Sequence, residues 1–375
     1  MTLTRVPLLD IPRQTAAIRG ELDAAIGRVL DHGQFILGPE VRALEERVAD
    51  YCGTRFAIGC ASGSDALLLA LMGLGIGRGD RVVTTPFTFF ATAGSIHHLG
   101  AVPVFVDIDP VTFNMDPALL EDALKAGARA VMPVHLFGQC AEMDEINAVA
   151  ARFGVPVVED AAQAIGAEYR GRRAGSLSAC GCFSFFPSKN LGGFGDGGLI
   201  TTDDEVLAAR LRMLRVHGSK VKYYHEAVGI NSRLDTLQAA ILLVKMRYLD
   251  EWTERRRANA ALYRECPNSA AIVLPAESAG IRHVYNQFTV RVAGRDELRR
   301  KLSEAGIGAE VYYPVPLHLQ DCFAYLGYKT GDFPHSEAAA REVLSLPIEP
   351  GLGPAEIEAV CAQLRDWATA SPIRQ

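Results

Sequence analysis

Short apolar runs alternate with helical stretches along the chain between residues 56 and 202. The runs occupy residues 56–60, 81–85, 102–106, 130–134, 155–158, 182–186 and 198–202. Strands that alternate with helices are typical of βαβ units, in which a mostly parallel sheet is covered by helices on both faces. The pattern therefore predicts an α/β fold with a mainly parallel seven-stranded sheet.

The segments on either side of this pattern predict a helical start and a second, smaller domain. Residues 14–51 have helical periodicity, interrupted by a loop at residues 33–39. Residues 232–266 contain neither glycine nor proline, which predicts one long helix, straight or bent. This helix would connect a large domain, residues 1–249, to a smaller α+β domain, residues 250–375.

The smaller domain is predicted from short segments of mixed type. Strands are expected at residues 286–292 and 309–313, and helices at residues 296–305, 337–344 and 354–367. Strands and helices without regular alternation are typical of an α+β unit.

Composition and charge narrow the class of protein. The 375 residues include 38 Lys and Arg against 44 acidic residues, for a net charge of -6, so neither nucleic acid nor an anionic membrane is favoured as a partner. The N-terminus lacks a signal peptide's basic start, and no window has the apolar length of a membrane span, so a cytoplasmic location is expected. The eight cysteines are then expected to be reduced, mostly buried thiols.

One lysine, Lys189, lies between an aromatic run and a glycine cluster. Partly apolar surroundings disfavour the charged form of an amine, which makes Lys189 a candidate nucleophile for carbonyl compounds. A surface turn with an extended Lys189 is the alternative, since lysines are mostly exposed. The glycines at residues 193–198 match G-x-G-x-x-G, but they precede a strand instead of opening a helix, so a dinucleotide site is rejected.

Several polar residues follow predicted strands, where the ligands of parallel sheets collect. Asp107, His135 and Asp160 each come directly after such a run, and Asp160 ranks above its neighbour Glu159 because Glu159 is expected to face the other side. A carboxylate that enters a cleft needs a cationic or hydrogen-bonding partner to remain ionised. A protonated ring nitrogen would meet this need.

Residues 61–67 form a Ser/Gly turn that leads from a strand into an apolar helix. Such a turn presents free N–H groups, hydroxyls and the positive end of the helix dipole, which suit a phosphate. A plain N-cap made by Ser62 or Ser64 explains the composition equally well. The phenylalanines of residues 87–90 are likewise either core or a surface for stacking on a flat ring.

The histidines give no sign of a metal centre. His97, His98 and His225 have no carboxylate or thiolate nearby at the spacing of metal ligands. No metal site is therefore predicted.

Four of these features together are the groups needed to hold pyridoxal 5'-phosphate (PLP). They are a helix start suited to phosphate, an aromatic loop, a carboxylate after a strand and a lysine in a glycine-rich loop. Their order resembles the DegT/DnrJ/EryC1/StrS family of nucleotide-sugar aminotransferases. The resemblance covers nearly the whole chain and is carried by residues 62–67, 88–89, 159–163, 185–190, 195–198 and 231–235. It implies the fold of the aspartate aminotransferase type (PLP fold type I) and a homodimer with active sites at the subunit interface.

The resemblance also implies roles for individual residues around the cofactor. Lys189 would bind the cofactor aldehyde covalently and act as the catalytic proton carrier. Asp160 would pair with the pyridinium nitrogen, Gln163 would hydrogen-bond the ring oxygen, and Phe89 would stack on the ring. The phosphate would be held by four residues, the last of them from the neighbouring subunit: Gly63, Ser64, Ser184 and Asn231.

The implied reaction is transfer of an amino group from L-glutamate to a keto group, by preference at C3, of a nucleotide-linked hexose, with ping-pong kinetics. Glucuronate-acting members tend to carry His at the position of Tyr312, so a neutral hexose is favoured, first a UDP-linked 2-acetamido-3-keto sugar. A dTDP-linked 3-keto- or 4-keto-6-deoxyhexose is the alternative acceptor. A non-catalytic PLP-binding regulatory protein is the alternative of another class. The substrate-binding residues implied are Arg233, Tyr312, Tyr313 and His318.

Overall fold

A computed structural model describes residues 5–266 and 271–370. Within these ranges no helix is both long and apolar enough to cross a bilayer. The α-helices are α1 Ile11–Ala16, α2 Arg19–His32, α3 Pro39–Cys52, α4 Gly63–Gly73, α5 Ala91–His98, α6 Leu120–Lys125, α7 Met143–Arg152, α8 Glu205–Leu214, α9 Thr236–Met246, α10 Leu249–Glu265, α11 Arg295–Glu304, α12 Pro334–Glu342 and α13 Pro354–Ala370.

The strands are shorter than the helices. They are β1 Phe56–Cys60, β2 Arg81–Thr84, β3 Val102–Phe105, β4 Ala130–Val131, β5 Val158–Asp160, β6 Glu168–Tyr169, β7 Arg172–Arg173, β8 Cys180–Ser184, β9 Gly198–Thr202, β10 Ser219–Val221, β11 Tyr224–His225, β12 Ile272–Val273, β13 Ile281–Arg282, β14 Phe288–Val292 and β15 Val343–Leu346.

The large sheet has the order β1-β9-β8-β5-β4-β2-β3, and it confirms the predicted fold class. Two groups of strands, β1-β9-β8-β5 and β3-β2-β4, are joined by parallel bridges from Val131 to Val157 and from Val134 to Asp160. Strand β9 runs antiparallel to both of its neighbours, while the other pairs in this sheet are parallel. Almost every residue in these strands is buried, as expected for a sheet covered on both faces.

One glycine allows the antiparallel strand to enter this sheet. Gly198 begins β9, and a Cβ atom there would lie 2.2 Å from the carbonyl oxygen of Ser62 and 2.8 Å from the amide nitrogen of Gly63. Both distances are far below van der Waals contact, so a side chain at residue 198 would displace the turn that opens α4. The absence of a side chain therefore lets β9 pack directly against that turn.

The predicted long helix is two helices, α9 and α10, separated by Arg247 and Tyr248. The division between residues 249 and 250, which stays a prediction, lies in the first turn of α10. Beyond it, β12, β14 and β15 form an antiparallel sheet on which α10 to α13 pack. Strand β13 pairs instead with the β6–β7 hairpin of the large domain.

Two predictions for the smaller domain were wrong. Residues 309–313 do not form a strand, since Glu310 makes only a single bridge to Ser345. Residues 343 and 344, predicted as the end of a helix, belong to β15, which pairs with β14. All residues of β15 are buried, and a short apolar run of this kind has the same appearance in a buried helix and in a central strand.

The expectation that all cysteines are thiols was also wrong. Cys266, just after α10, and Cys361, on α13, form a disulfide with their Cα atoms 5.7 Å apart. The two cysteines are 95 residues apart in the sequence, and only the packing of α10 against α13 brings them together.

A buried carboxylate links the two parts of the chain that are predicted to be separate domains. Asp107 follows β3 in the large domain, and its side chain accepts hydrogen bonds from the backbone N–H groups of His335 and Ser336, both at 2.9 Å. The hydroxyl of Ser336 donates a third hydrogen bond at 2.5 Å. These donors lie in the first turn of α12, so Asp107 caps a helix of the smaller domain.

We expect Asp107→Ala to lower the free energy of unfolding by about 2–3 kcal/mol, because it leaves buried donors of α12 without an acceptor. Urea denaturation followed by circular dichroism would measure the loss. Asp116→Ala is the matched control, since Asp116 caps an exposed turn through a single bond to the N–H of Ala118. Equal losses in the two variants would contradict the proposed role of Asp107 in joining the domains.

Candidate active site

A cleft of about 450 Å³ opens at the carboxyl ends of the parallel strands. This volume is in the usual range for a site that binds a cofactor or small substrate. Most of the residues predicted for the cofactor and two predicted for the substrate line it: Gly63, Ser64, Phe89, Asp160, Gln163, Ser184, Lys189, Tyr312 and Tyr313.

The turn before α4 supplies the phosphate-type corner of the cleft. Ser62 is the N-cap, and its hydroxyl accepts a hydrogen bond from the N–H of Asp65 at 3.1 Å. The capping role suggested by the sequence therefore belongs to Ser62, while Gly63 and Ser64 line the cleft. A Cβ atom on Gly63 would lie 2.6 Å from Cβ of Ser184, so the start of α4 and the end of β8 are in close contact. Backbone N–H groups and two serine hydroxyls thus meet at one helix N-terminus.

Asp160 is the last residue of β5 and is almost fully buried, with 4% of its surface exposed. Burial raises the pKa of its carboxyl, and a hydrogen bond from the hydroxyl of Thr92, 2.7 Å from Oδ2, opposes this effect. Because that hydroxyl gives its proton to Asp160, the hydroxyl of Thr88, 2.9 Å away, must donate to Thr92. This chain of donors fixes the orientation of the carboxylate.

The neighbouring acid, Glu159, points to the opposite side of the sheet, as the sequence predicted. Its carboxylate accepts hydrogen bonds from the N–H groups of Gly175 at 2.6 Å and Leu177 at 2.8 Å, and Nε2 of His135 lies 3.1 Å away. Nδ1 of His135 accepts from the N–H of Ala141, so Nε2 carries the proton. His135 and Glu159 therefore belong to a buried structural network. Of the three polar residues at strand ends, only Asp160 enters the cleft.

Lys189 extends from the loop between β8 and β9 into the cleft. Burial lowers the pKa of its amine to about 8, and the negative charge of Asp160 opposes part of that change. A larger fraction of neutral, nucleophilic amine is therefore present near neutral pH than on an exposed lysine. This position agrees with the interpretation of Lys189 as a nucleophile and not with that of an extended surface lysine.

Gln163 and Tyr313 form a connected wall of the cleft. Oε1 of Gln163 accepts a hydrogen bond from the N–H of Phe137 at 2.6 Å, and Nε2 donates to the hydroxyl of Tyr313 at 3.0 Å. Burial raises the pKa of Tyr313, which therefore stays protonated. The ring of Tyr313 also lies 6.1 Å from that of the exposed Phe89. Both predicted side chains, Gln163 and Phe89, thus approach the same open space.

Helix α9 holds the glycine-rich loop that follows Lys189. Oε1 of Gln238 accepts a hydrogen bond from the N–H of Phe194 at 2.7 Å, and Nζ of Lys245 donates to the carbonyl oxygen of Gly192. Lys245 is 1% exposed, and burial lowers its pKa to about 8. Neither side chain was predicted from the sequence, and nor was Thr92. Thr88 lies in the turn before α5 and outside the helix, so the four-residue spacing of the two threonines gives no helical signal for their contact.

The structure does not bring every predicted residue to the cleft. Asn231 is exposed, and neither Asn231 nor Arg233 lines the cleft of its own chain. His318 is 1% exposed and packs against the ring of Phe333, with Nε2 3.2 Å from a carboxylate oxygen of Glu337. His318 therefore lies in a buried cluster of the smaller domain instead of facing a substrate.

Comparison with known proteins explains this arrangement. Residues 16–365 match the family model described as the DegT/DnrJ/EryC1/StrS aminotransferase family. The chain belongs to this family. The predicted resemblance is thereby confirmed, and the chain is an aminotransferase.

Three relatives share about half of their residues with this chain. A protein of Geobacillus stearothermophilus named pleiotropic regulatory protein is 53% identical over 92% of this chain and 94% of its own length. The UDP-2-acetamido-2-deoxy-3-oxo-D-glucuronate aminotransferase of Pseudomonas aeruginosa is 47% identical, with 96% and 99% covered. The dTDP-3-amino-3,4,6-trideoxy-alpha-D-glucose transaminase of Streptomyces venezuelae is also 47% identical, with 97% and 96% covered.

Solved structures of the aminotransferase family superpose closely on this chain. S. venezuelae DesV, solved in complex with a ketimine intermediate, has a TM-score of 0.94 at 47% identity and covers 97% of this chain and 98% of its own. The protein ntda of Bacillus subtilis, solved with bound cofactor PMP, has a TM-score of 0.91 at 32% identity and covers 98% and 86%. Members of this family use PLP, as predicted.

The residues of the cleft fit this aminotransferase cofactor. The start of α4 and Ser184 offer hydrogen-bond donors to a phosphate, and the buried Asp160 suits a cationic ring nitrogen. Lys189, an amine with a lowered pKa, lies in the same cleft as both groups. The hydrogen-bond donors, the carboxylate and the amine thus match, in turn, the anionic tail, the cationic ring and the aldehyde of PLP.

We expect Thr92→Val to weaken PLP binding about 5- to 30-fold, because the buried Asp160 loses its hydroxyl donor and its pKa rises further. Equilibrium titration of the apoenzyme with PLP would measure this change. Ser95→Ala is the control, since Ser95 is buried on the same helix and bonds only to the carbonyl of Thr92. An unchanged dissociation constant in Thr92→Val would show that this hydroxyl does not support Asp160.

The lowered pKa of Lys189 predicts how the apoenzyme captures PLP covalently as the pH changes. The reactive form is the neutral amine, so the rate should rise with pH to a midpoint near 8 and level off above it, well below the ordinary value of 10.5. The visible absorbance of the lysine-bound cofactor would give the rate. Lys189→Ala should bind PLP without this band, and Asp160→Asn should lower the midpoint. A midpoint near 10.5 would contradict the buried position of Lys189.

Proposed function

We propose that this aminotransferase moves an amino group from L-glutamate to the C3 keto group of a nucleotide-linked hexose, first a UDP-linked 2-acetamido-3-keto sugar. The observation that carries the proposal is the cleft itself, where Lys189, Asp160 and the start of α4 converge. The names of two relatives support C3 as the reacting position, since one specifies a 3-oxo and the other a 3-amino sugar.

The charges in the cleft favour a neutral hexose over a uronate. Among the described residues that line it, Lys189 is the only cation, and Asp160 and Asp196 are acids. A sugar carboxylate would need a cationic partner beyond Lys189, which the cofactor occupies. Tyr312, whose pKa is raised by burial, offers a neutral hydroxyl to a sugar instead.

In the proposed mechanism, PLP supplies an electron sink that stabilises negative charge at the carbon losing or gaining a proton. Lys189, once freed from the cofactor, moves that proton as general base and then general acid, which its lowered pKa favours. Asp160 keeps the ring nitrogen protonated, while Thr92 and the N–H of Ala162 hold the carboxylate in place. Gln163, whose amide nitrogen also donates to Tyr313, would offer its second N–H to the ring oxygen, and Phe89 would cover the ring.

A second copy of the chain would complete the site. Several aromatic and aliphatic side chains are exposed, and two of them, Phe89 and Phe186, line the cleft; the others are Phe35, Ile36, Phe194, Tyr223 and Tyr224. Apolar groups of this size are rarely left in water over a contiguous area, which supports a homodimer. Asn231 is exposed and outside its own cleft, as expected for a residue that reaches the phosphate of the partner's cofactor.

A panel of nucleotide-linked keto-sugars would test the acceptor. The amine form of the enzyme, prepared with L-glutamate and freed of 2-oxoglutarate, should regain PLP absorbance with a UDP-linked 2-acetamido-3-keto hexose at least 10-fold faster than with the matching uronate. The direct comparison isolates the carboxylate as the only difference between the two sugars. Preference for the uronate, or for a dTDP-linked 3-keto- or 4-keto-6-deoxyhexose, would replace the proposed acceptor with that sugar.

A further inference from the structure

A small side cavity of about 50 Å³ lies next to the cleft. Ser188, Gln287 and Tyr312 line both spaces, so the cavity adjoins the cleft beside the residue that precedes Lys189. Its other walls come from the N-terminal segment and the smaller domain: Leu8, Leu9, Arg256, Asn286, Ser345, Leu346 and Ile348. The cavity is thus closed by parts of the chain that the mechanism above does not use.

Asn286 presents an unsatisfied amide to this cavity. The residue is 7% exposed, and neither Oδ1 nor Nδ2 has a hydrogen-bond partner within the described part of the chain. Oε1 of the adjacent Gln287 is likewise buried without a partner there. Leaving a buried polar group unpaired costs about 1–3 kcal/mol, and native proteins contain few such groups. Two neighbouring side chains with this property in one cavity indicate a polar ligand.

A buried cation lies in the same wall. Arg256 is 3% exposed, and its Nη1 donates a hydrogen bond to the carbonyl oxygen of Tyr285 at 3.1 Å. Burial lowers its pKa to about 10, so it remains charged at neutral pH. Glu349 contributes an opposing charge, but its carboxylate also faces Arg13 and accepts the N–H of Gly351. The leucine and isoleucine side chains around the cavity exclude water and strengthen any ionic contact made inside it.

The size and chemistry of the cavity limit its ligand. A water molecule needs roughly 10–15 Å³ of such space, so the cavity has room for a few atoms but not for a sugar ring or a nucleotide. A guanidinium and an amide N–H suit a carboxylate, while the amide oxygens of Asn286 and Gln287 suit an ammonium group. The space therefore suits a carboxylate at one end of a larger molecule whose remaining atoms lie in the cleft.

We propose that this side cavity binds a carboxylate of the amino donor, with Nδ2 of Asn286 donating to it and Arg256 supplying the charge. The proposal rests on the proposed function, because it takes L-glutamate as the donor. Asn286 and Arg256 would then select the amino acid, while the cleft in front of Lys189 receives the sugar. The two half-reactions would thus use different polar contacts around the same lysine.

The experiment compares both half-reactions in the PLP-loaded enzyme and in Asn286→Leu and Asn286→Asp. Loss of PLP absorbance on titration with L-glutamate gives the apparent dissociation constant of the donor. We expect an increase of about 10-fold or more in Asn286→Leu, and a larger one in Asn286→Asp because its charge repels the carboxylate. The reverse reaction of the amine form with the keto-sugar, and the retention of PLP, should change less than about 2-fold.

Thr253→Val is the matched control, since Thr253 is buried on the same helix as Arg256 and does not line the cavity. It should leave the glutamate constant unchanged. Asn286→Ser keeps a small polar side chain and replaces any variant that fails to fold, as judged by its urea midpoint. Unchanged glutamate binding in the Asn286 variants, or equal weakening of both half-reactions, would overturn the proposal. If the amine form of the wild-type enzyme reacted with none of the keto-sugars, the proposed acceptor would be rejected. The effect of the Asn286 variants on the dissociation constant of L-glutamate would remain valid.

Discussion

The active site depends on keeping one carboxylate, Asp160, ionised inside the protein. Burial alone would favour its protonated form, and a neutral acid could not stabilise a cationic ring. The hydroxyl of Thr92, the N–H of Ala162 and the charge of Lys189 all counter that tendency. Asp160 in turn keeps the pKa of Lys189 from falling further. The two groups are therefore coupled, and each opposes part of the change in pKa that burial alone would cause in the other.

The surrounding architecture fixes the positions of these two groups. Asp160 ends a strand in the middle of the large sheet, where parallel bridges join it to the neighbouring strand group. Lys189 lies on a loop, and a loop is less rigid than a strand. Helix α9 compensates by binding the following glycine segment through Gln238 and Lys245. The same helix begins directly after residues 231–235, so a single rigid element connects the lysine loop with the segment proposed to reach the partner's cofactor.

Much of this site could be predicted from the sequence because its chemistry is local. Asp160 ends a strand, while Lys189 and Ser64 lie in segments that follow one, and the alternation of strands with helices brings such segments together at one edge of the sheet. His318 and Asn286 show where this reasoning fails. Both are polar residues of the smaller domain, yet one is buried against Phe333 and the other faces a cavity. Their placement depends on how the domains dock and on which segment covers them, and no short sequence pattern contains that information. The strand at residues 343–346 and the pairing of Cys266 with Cys361 were missed for the same reason.

The adjacent acids at the end of β5 have a consequence for the accuracy of folding. Glu159 and Asp160 point to opposite faces of the sheet, one into a set of structural donors and the other into the cleft. A slip of this strand by one residue would exchange them. The shorter aspartate would then leave the donors around Gly175 and Leu177 unsatisfied, and the longer glutamate would crowd the cleft. The fully buried Glu159 therefore raises the free energy of the shifted register. The apolar residues of the strand alone would distinguish the two registers less strongly, so Glu159 helps to place Asp160 in the cleft.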